Sequence, residues 1–600
     1  MILLGKKHKK SKKYMCGYIW RLTGEIREES DMVDLRANPF FLNDDQIRWV
    51  EETLASLDLE DKIGQMFCPI GGNTEEGFLK SFTEEFRPGA MLYRPMPAAE
   101  AQKVHAFLQK CSKVPMLFGA NLESGGNGIA ADGTYYARPM SVAASDNPEN
   151  AYNLGAVAGR EAAAVGCNWA FSPICDIDMN WRNPIENVRT FGSDKERVKN
   201  FTCEQLKGLR DNGVAAAVKH YPGDGVDERD QHLVPSVNSL SADEWSASYG
   251  EVWKAVVDAG TLSIMVGHIL QPAWSKKLNP ALEDKDILPA SMSYELLTGL
   301  LRGELGYNGM LVTDATPMIG FNTPMKRCDA IPASINAGCD MILFNKDIRE
   351  DYGFLRSAIK DGRVSMERVD EAVTRILAMK AAMKLPEAKA DGSLFPGEDA
   401  LSVISCAEHQ ELARRVADES VTLVKDTQGL LPVSPEKYKK VRLYLLEDRV
   451  GGGFKDGEGA IDKVKEKLEA EGFEVSLYDY TKPDFFEMFE GGVEDIKSKF
   501  DLAIYVACID TASNQSVRRI DWVHLMAADA PWFVNDVPAM FISLANPYHL
   551  VDAPMVKTFI NAYTPTETVV DQVIDKIMGR SEFKGVNPVD PFCGIWGAEF

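Results

Sequence analysis

Between about residue 60 and residue 345, short apolar runs alternate with amphipathic stretches. The runs are KIGQMFCPI (62–70), GAMLYR (89–94), VPMLFGANLE (114–123), NWAFSPICDID (168–178), VAAAVKH (214–220), LSIMVGHIL (262–270), GMLVTDA (309–315) and CDMILF (339–344). Helical patterns such as AAEAQKVHAFLQKCSK (98–113) and AYNLGAVAGREAAAVG (151–166) lie between most of them. Strand–helix alternation repeated eight times predicts parallel strands with helices outside. Eight such units over this span match the size of a (β/α)8 TIM barrel.

Polar residues fall at the C-terminal ends of these runs: Asn121 and Glu123, Asp176 and Asp178, Lys219 and His220, His268, and Asp314. Barrel enzymes place their chemistry at that end of the strands. The helical pattern VSMERVDEAVTRILAMKAAM (364–383) closes the barrel, and a Pro-, Gly- and Asp-rich stretch follows. The expected division is a barrel domain over 32–384, a linker over 385–408 and a second α/β domain over 409–600. In the second domain, apolar runs such as VRLYLLE (441–447), DLAIYVACID (501–510) and AMFISLANP (539–547) alternate with helical segments. This pattern predicts an open, doubly wound sheet. It lacks a G-x-G-x-x-G after its first strand, and the cluster GGGF (451–454) reads as a turn rather than a phosphate cradle.

Six hundred residues exceed what one core supports. A formal net charge of −23 argues against nucleic acid or an anionic membrane as the main partner. No apolar run approaches the ~18–20 residues of a membrane span. Eleven cysteines are scattered without a C-x-x-C pair, which suggests neither a zinc site nor a disulfide framework and fits reduced thiols in the cytoplasm. The N-terminus, with GKKHKKSKK followed by YMCGYIW, lacks the apolar core of a signal peptide. Residues 1–31 are expected to stand outside the folded protein, with Met32 opening a more natural start.

The chemistry concentrates in VKHYPGDGVDERDQH (218–232). A buried strand runs into Lys219 and His220, and the loop after it ends in Asp230-Gln231-His232. Unpaired buried charge is costly, so such groups mark a site or a paired network. Asp230 and His232 are two apart, so the carboxylate can hold one ring nitrogen and leave the other for proton transfer. Lys219 offers a charged donor to a sugar hydroxyl. Asp176 either pairs with Lys219 or binds a ligand, and Arg189 either does the same or bridges charges over the barrel mouth. Asp314 is either a helix N-cap or an attacking nucleophile.

Together these residues resemble glycoside hydrolase family 3, in its β-N-acetylglucosaminidase branch. The resemblance runs from LASLDLEDKIGQMF through FSPICDID, NPIENVRTFG, VKHYPGDG…DQH, SIMVGHIL and LLTGLLRGELGYNGMLVTDA to LARRVADESVTLVKDTQGLLPV. It implies a retaining double displacement with Asp314 as nucleophile and His232 as acid/base, oriented by Asp230. Lys219, His220, Arg189 and Asp176 would hold the sugar, with Asn121, Glu123 and His268 also in the binding set. The expected substrate is a small β-N-acetylglucosaminide, with no cofactor and no metal. Retaining glycosidases generally use two carboxylates. An imidazole in place of one works as acid and base near neutral pH and does not repel an anionic acceptor. Inorganic phosphate is therefore an alternative acceptor to water.

The sequence departs from the branch where relatives carry Asp-x-Glu-Gly-Gly and an Arg eight residues beyond that Asp. Here the first position is Asn121 and the eighth is Ile129, with Asp132 and Arg138 as nearby substitutes. Asp224 stands where relatives often have His. These changes bear on which sugar is bound rather than on the reaction type, so a β-glucosidase or a phosphorylase on the same scaffold stays open. A metal-dependent barrel hydrolase using His220, His232 and His268 is a more distant reading, as is a sugar-binding protein without catalysis. The second domain has two open roles, capping the barrel mouth or mediating dimerisation. The basic run SVRRIDW (516–522) reads either as a surface salt-bridge patch or as an approach for an acidic substrate.

Overall fold

The computed structural model describes residues 33–447, 459–481 and 492–600. The expectations for residues 1–31 and for the glycine cluster at 451–454 lie outside these residues.

The eight expected strands form, all parallel. They are β1 (Phe67–Cys68, resumed after Pro69 as Ile70–Gly71), β2 (Ala90–Tyr93), β3 (Leu117–Ala120), β4 (Trp169–Ala170), β5 (Ala215–Tyr221), β6 (Ser263–Val266), β7 (Met310–Thr313) and β8 (Ile342–Leu343). Neighbours pair in sequence order from β1 to β7. β7 bridges to β8 through Val312 and Met341, and β8 pairs back onto β1 with Phe67 opposite Ile342. The ring is thereby closed, which removes every exposed sheet edge.

The strands show the period-2 split that a two-sided burial demands. Ala90, Leu92, Met265, Met310 and Val312 pack in one core with Phe67 and Trp169. Met91, Tyr93, Ile264, Val266 and Leu311 pack in another with the surrounding helices, including Leu154, Val157 and Leu209. Inside the barrel the Trp169 indole donates to Ser263 Oγ at 2.8 Å, so its buried N–H is satisfied.

The stretch expected as a linker carries a short helix, Leu385–Asp391, and a 3-10 segment, Glu398–Val403. It lies against the barrel: Gln102 donates to the Gly397 carbonyl at 3.0 Å. The helix Ala407–Ser420 then joins the two halves. Its Ala413 and Val416 belong to the barrel's outer core, and Ala417 belongs to the second core.

The second sheet contains β9 (Thr422–Asp426), β10 (Lys440–Glu447), β11 (Glu474–Leu477), β12 (Leu502–Cys508), β13 (Ala539–Ser543) and β14 (Thr558–Asn561). Their order is β9-β14-β13-β12-β10-β11, with β9 antiparallel to β14 and the other pairs parallel. The five parallel strands follow the 2-1-3-4-5 order of doubly wound sheets. Both faces are covered: Leu502, Ile504 and Val506 pack on one side, Ala503, Tyr505 and Ala507 on the other.

This domain sits on the loops that follow β3 and β4. Tyr548 and Tyr563 pack with Met140, Ala144 and Val188. The Tyr548 hydroxyl donates to Asp178 Oδ2 at 2.6 Å. Burial pushes the Asp178 carboxyl up to about 7, although the Tyr548 hydrogen bond works in the opposite direction. A carboxyl raised in the folded state binds more protons than its unfolded counterpart, so its contribution to stability falls as pH rises from the unfolded value to about 7. Asp178→Asn keeps an acceptor for Tyr548 and removes this dependence. Urea midpoints at about pH 5 and about pH 8 should therefore fall less between the two pH values in the variant than in the wild type.

Candidate active site

The groups at the strand ends converge on the mouth of the barrel. The β5–β6 ladder shifts register between Val218 and Tyr221. Lys219 and His220, which a regular pleat would send to opposite faces, both reach partners at this mouth. Lys219 Nζ donates to Glu123 Oε1 at 2.6 Å. Arg189 grips the same carboxylate with two bonds, Nε to Oε2 at 2.9 Å and Nη2 to Oε1 at 3.0 Å. Burial opposes ionisation of Glu123, but Arg189 and Lys219 outweigh it and hold the carboxyl well below the usual range. Asp176 therefore does not pair with Lys219: two cations already converge on Glu123, and Asp176 turns to His220.

Asp176 is fully buried. Its Oδ2 accepts from His220 Nδ1 at 2.7 Å and from the His220 main-chain N–H at 3.2 Å, and its Oδ1 accepts from the Asp224 N–H at 2.7 Å. One carboxylate thus fixes the imidazole and the turn after it. That turn needs glycine at Gly223, where φ is +127° and a Cβ would come within 2.1 Å of the Tyr249 ring. The other ring nitrogen, His220 Nε2, lies 3.9 Å from Asp314 Oδ2.

Asp314 follows β7 directly. Its Oδ1 accepts from the Ala315 N–H at 2.6 Å, a local turn contact rather than the N-cap of a following helix, since the next helix begins at Ile319. Burial would raise its carboxyl, yet it stands below its ordinary value because His220, His268, His232 and the Ala315 amide outweigh that cost. His268 is itself held neutral, pushed down to about 4 by burial.

His232 Nδ1 lies 2.7 Å from Asp230 Oδ1, which also accepts the His232 main-chain N–H at 2.8 Å. The Asp230 side chain is buried, whereas the His232 side chain is 29% exposed. That exposure leaves His232 Nε2 as the ring nitrogen facing the open mouth. The Gln231 and His232 carbonyls accept the N–H groups of Gly320 and Ile319, which follow Asp314 in sequence. The two loops are therefore held in fixed relation.

Two expected ligands stand differently. Asn121 is exposed at the end of β3 and open to a ligand. His268 is wholly buried, with Nδ1 on Ser291 Oγ at 2.9 Å and Nε2 on the Ala315 carbonyl at 3.2 Å. A carbonyl only accepts, so Nε2 carries the proton and Nδ1 accepts from Ser291. Both nitrogens are committed to the protein. Neither substitute for the missing arginine is free for that task. Asp132 accepts the Ala98 N–H at 2.8 Å, and Arg138 pairs with Asp510 of the second domain.

Three neighbours lie outside the expected site residues: Glu186 and Asn514 are not singled out in the sequence, and Asp224 stands there only as a departure from the family motif. Glu186 is fully buried, with His220 Nδ1 at 3.6 Å and Arg189 Nη1 at 3.8 Å, and burial beside Asp176 keeps it protonated far above the usual range. Its place inside NPIENVRTFG was the available signal. Asp224 accepts from Asn183, Gly225 and Ser236, and burial pushes it up to about 8. Asn514, from the second domain, donates its main-chain N–H to Asp230 Oδ2 at 2.7 Å. The basic run around it is paired, with Arg519 on Asp552 and Arg518 on the Asp510 carbonyl.

Among the described residues, Asp176, Glu186 and His220 form the group able to offer three ligand atoms to a metal, all within 4.8 Å of one another. His232 and His268 do not join it. His220 Nδ1 already faces Asp176 in a hydrogen bond, so a metal there would have to displace that proton.

The Glu123 cluster makes a direct prediction. Glu123→Gln leaves two buried cations without their counter-charge, and breaking a buried pair from one side costs about 3–5 kcal/mol. Urea unfolding at neutral pH should show a loss of that order.

Residues 60–379 match the family described as glycosyl hydrolase family 3 N terminal domain. The chain is 42% identical over 569 residues to a "Beta-N-acetylglucosaminidase/beta-glucosidase" of Cellulomonas fimi, covering 94% of this chain and 99% of that one. Among solved structures, "Beta-glucoside phosphorylase BglX" superposes with a TM-score of 0.88 at 44% identity, covering 94% and 99% of the two chains. A family 3 β-N-acetylglucosaminidase from Paenibacillus superposes with a TM-score of 0.74 at 24% identity over 90% of this chain and all of that one, a likeness of fold. With the barrel matched and 94% of the chain shared with such a relative, this chain belongs to glycosyl hydrolase family 3.

Proposed function

We propose that this enzyme cleaves terminal β-linked N-acetylglucosaminides or glucosides with retention of configuration. The observation that carries this reading is a buried, ionised Asp314 beside an Asp230–His232 pair whose outer ring nitrogen faces the mouth. Asp314 attacks the anomeric carbon as the glycosidic C–O bond breaks, and His232 Nε2 gives its proton to the leaving oxygen. The product is a glycosyl ester on Asp314. In the second step His232 takes a proton from the acceptor, the acceptor oxygen bonds to the anomeric carbon, and the Asp314 carboxylate leaves. Asp230 fixes the tautomer of the neutral ring on the glycosyl-enzyme and stabilises the imidazolium that precedes the first step and follows the second. Lys219, Arg189 and Glu123 form a charged wall for sugar hydroxyls, with His220, Asp176 and Asn121 beside it. His268 supports Asp314 from behind and has no free ring atom for a ligand.

A second reading, phosphorolysis, has its own support. The acid/base is an imidazole whose carboxylate partner is buried and satisfied on both oxygens. An anionic acceptor meets no opposing charge there. The structure named a β-glucoside phosphorylase matches over nearly the whole chain.

Asp314→Asn should lower turnover by more than about a thousandfold. A 2-fluoro glycoside with a good leaving group should accumulate on Asp314, read as a mass increase on the peptide that contains it; labelling elsewhere would remove Asp314 from the nucleophile role. Incubation of donor glycoside with inorganic phosphate decides the acceptor: sugar 1-phosphate as the main product supports phosphorolysis, and free sugar at an unchanged rate supports hydrolysis. Exhaustive chelation should leave activity intact. Loss that a divalent ion restores would shift the chemistry to Asp176, Glu186 and His220.

A further inference from the structure

The acid/base pair is completed from the other half of the chain. Asp230 has two carboxylate oxygens. Oδ1 serves His232 twice, and Oδ2 takes the Asn514 main-chain N–H at 2.7 Å. Asn514 lies in the loop after β12, at the C-terminal end of the second domain's sheet. Its φ is +65°, and among the described residues its side chain donates locally, to Ser513 Oγ. The contact therefore depends on the backbone of this loop.

The loop is anchored beside that contact. Asp510 pairs with Arg138, whose side chain is 5% exposed and which precedes the barrel-mouth helix Pro139–Ala144. Asp510 also accepts the Thr511 N–H at 2.8 Å, and its carbonyl accepts from Arg518 Nε at 2.9 Å. An ion pair buried between two domains is costly to form unless both halves are held in place. Its position four residues before Asn514 aims the amide at Asp230.

We propose that the second domain is a positioning element of the acid/base pair: the Asn514 main-chain amide fixes Asp230 through Oδ2, and Asp230 in turn fixes His232. This rests on the reading of Asp230 and His232 as the acid/base. A carboxylate rotates about its Cβ–Cγ bond unless both oxygens are engaged. With Oδ2 held, Oδ1 stays on His232 Nδ1, and Nε2 keeps its aim. The amide also takes up part of the Asp230 charge. Without it, the carboxylate would bind the imidazolium more strongly, and His232 would keep its proton to higher pH.

Other groups near the pair are Asp224, which accepts from Gln231 at 3.4 Å, Asp314 across the mouth with His268 behind it, and the exposed Arg229 paired with the largely buried Asp227. All of them remain in the variants below.

The direct test replaces residue 514 by its α-hydroxy analogue, so that an ester oxygen stands where the amide N–H was. The alkaline limb of kcat/KM for an unactivated glycoside should move up by about half to one pH unit, with kcat reduced several-fold. Asn514→Gly keeps the amide and suits a positive φ, so it should leave the profile in place. Asp510→Ala, which frees the anchor, should move the limb in the same direction as the ester. An ester protein that is folded by circular dichroism yet has an unmoved alkaline limb would overturn the proposal.

His232→Ala separates the two levels. If it cleaves unactivated donors as well as the wild type does, the acid/base reading itself falls. If it loses that activity while the ester changes nothing, only the role of the second domain falls.

Discussion

The carboxylate of Asp176 is the constraint on which the rest of the mouth depends. It is wholly removed from water and takes three hydrogen bonds from the end of β5 and the turn after it. A buried carboxylate is tolerated only when so paired, and pairing it dictates where the chain goes next. The His220 ring is turned so that Nε2 looks toward Asp314, and the Asp224 amide is drawn in to close the turn. Asp224 then holds Asn183, Ser236 and Gln231 around the loop that carries Asp230 and His232. The loops of the proposed nucleophile and acid/base are thus positioned from one buried anion.

A second anion, Glu123, is treated differently. It gathers two cations and stays ionised, so the proposed sugar-facing wall keeps strong donors while the cluster's net charge is only slightly positive. Glu186, which meets Arg189 only at 3.8 Å, and Asp224 are held protonated by burial. Four acidic side chains packed this closely would repel one another if all were charged. Pairing two and protonating two settles the conflict.

Much of the fold was legible in the chain. All eight barrel strands and β10, β12 and β13 of the second sheet lie within the apolar runs to within a residue, because burial leaves a plain apolar signature. The strand-end positions of Lys219, His220, Asp176 and Asp314 were legible for a related reason: polarity that interrupts such a run at its C-terminal edge has little structural excuse. The pairing among them was not. Whether Lys219 met Asp176 or Glu123 depended on the shifted register of β5 and on the reach of Arg189 from another loop. His268 has the same strand-end signature as His220 but ends behind the pocket, where Ser291 and Ala315 occupy both of its nitrogens.

By itself, then, the sequence determined the barrel, the doubly wound second domain and the neighbourhood of the proposed chemistry. Those follow from periodic burial and from motifs whose members lie within a few residues of one another. Only the tertiary structure decided which charges neutralise which, and that the second domain reaches Asp230 through Asn514, a contact between residues 284 apart whose donor is a main-chain amide. Every residue but proline carries that amide, so no side-chain pattern can announce it.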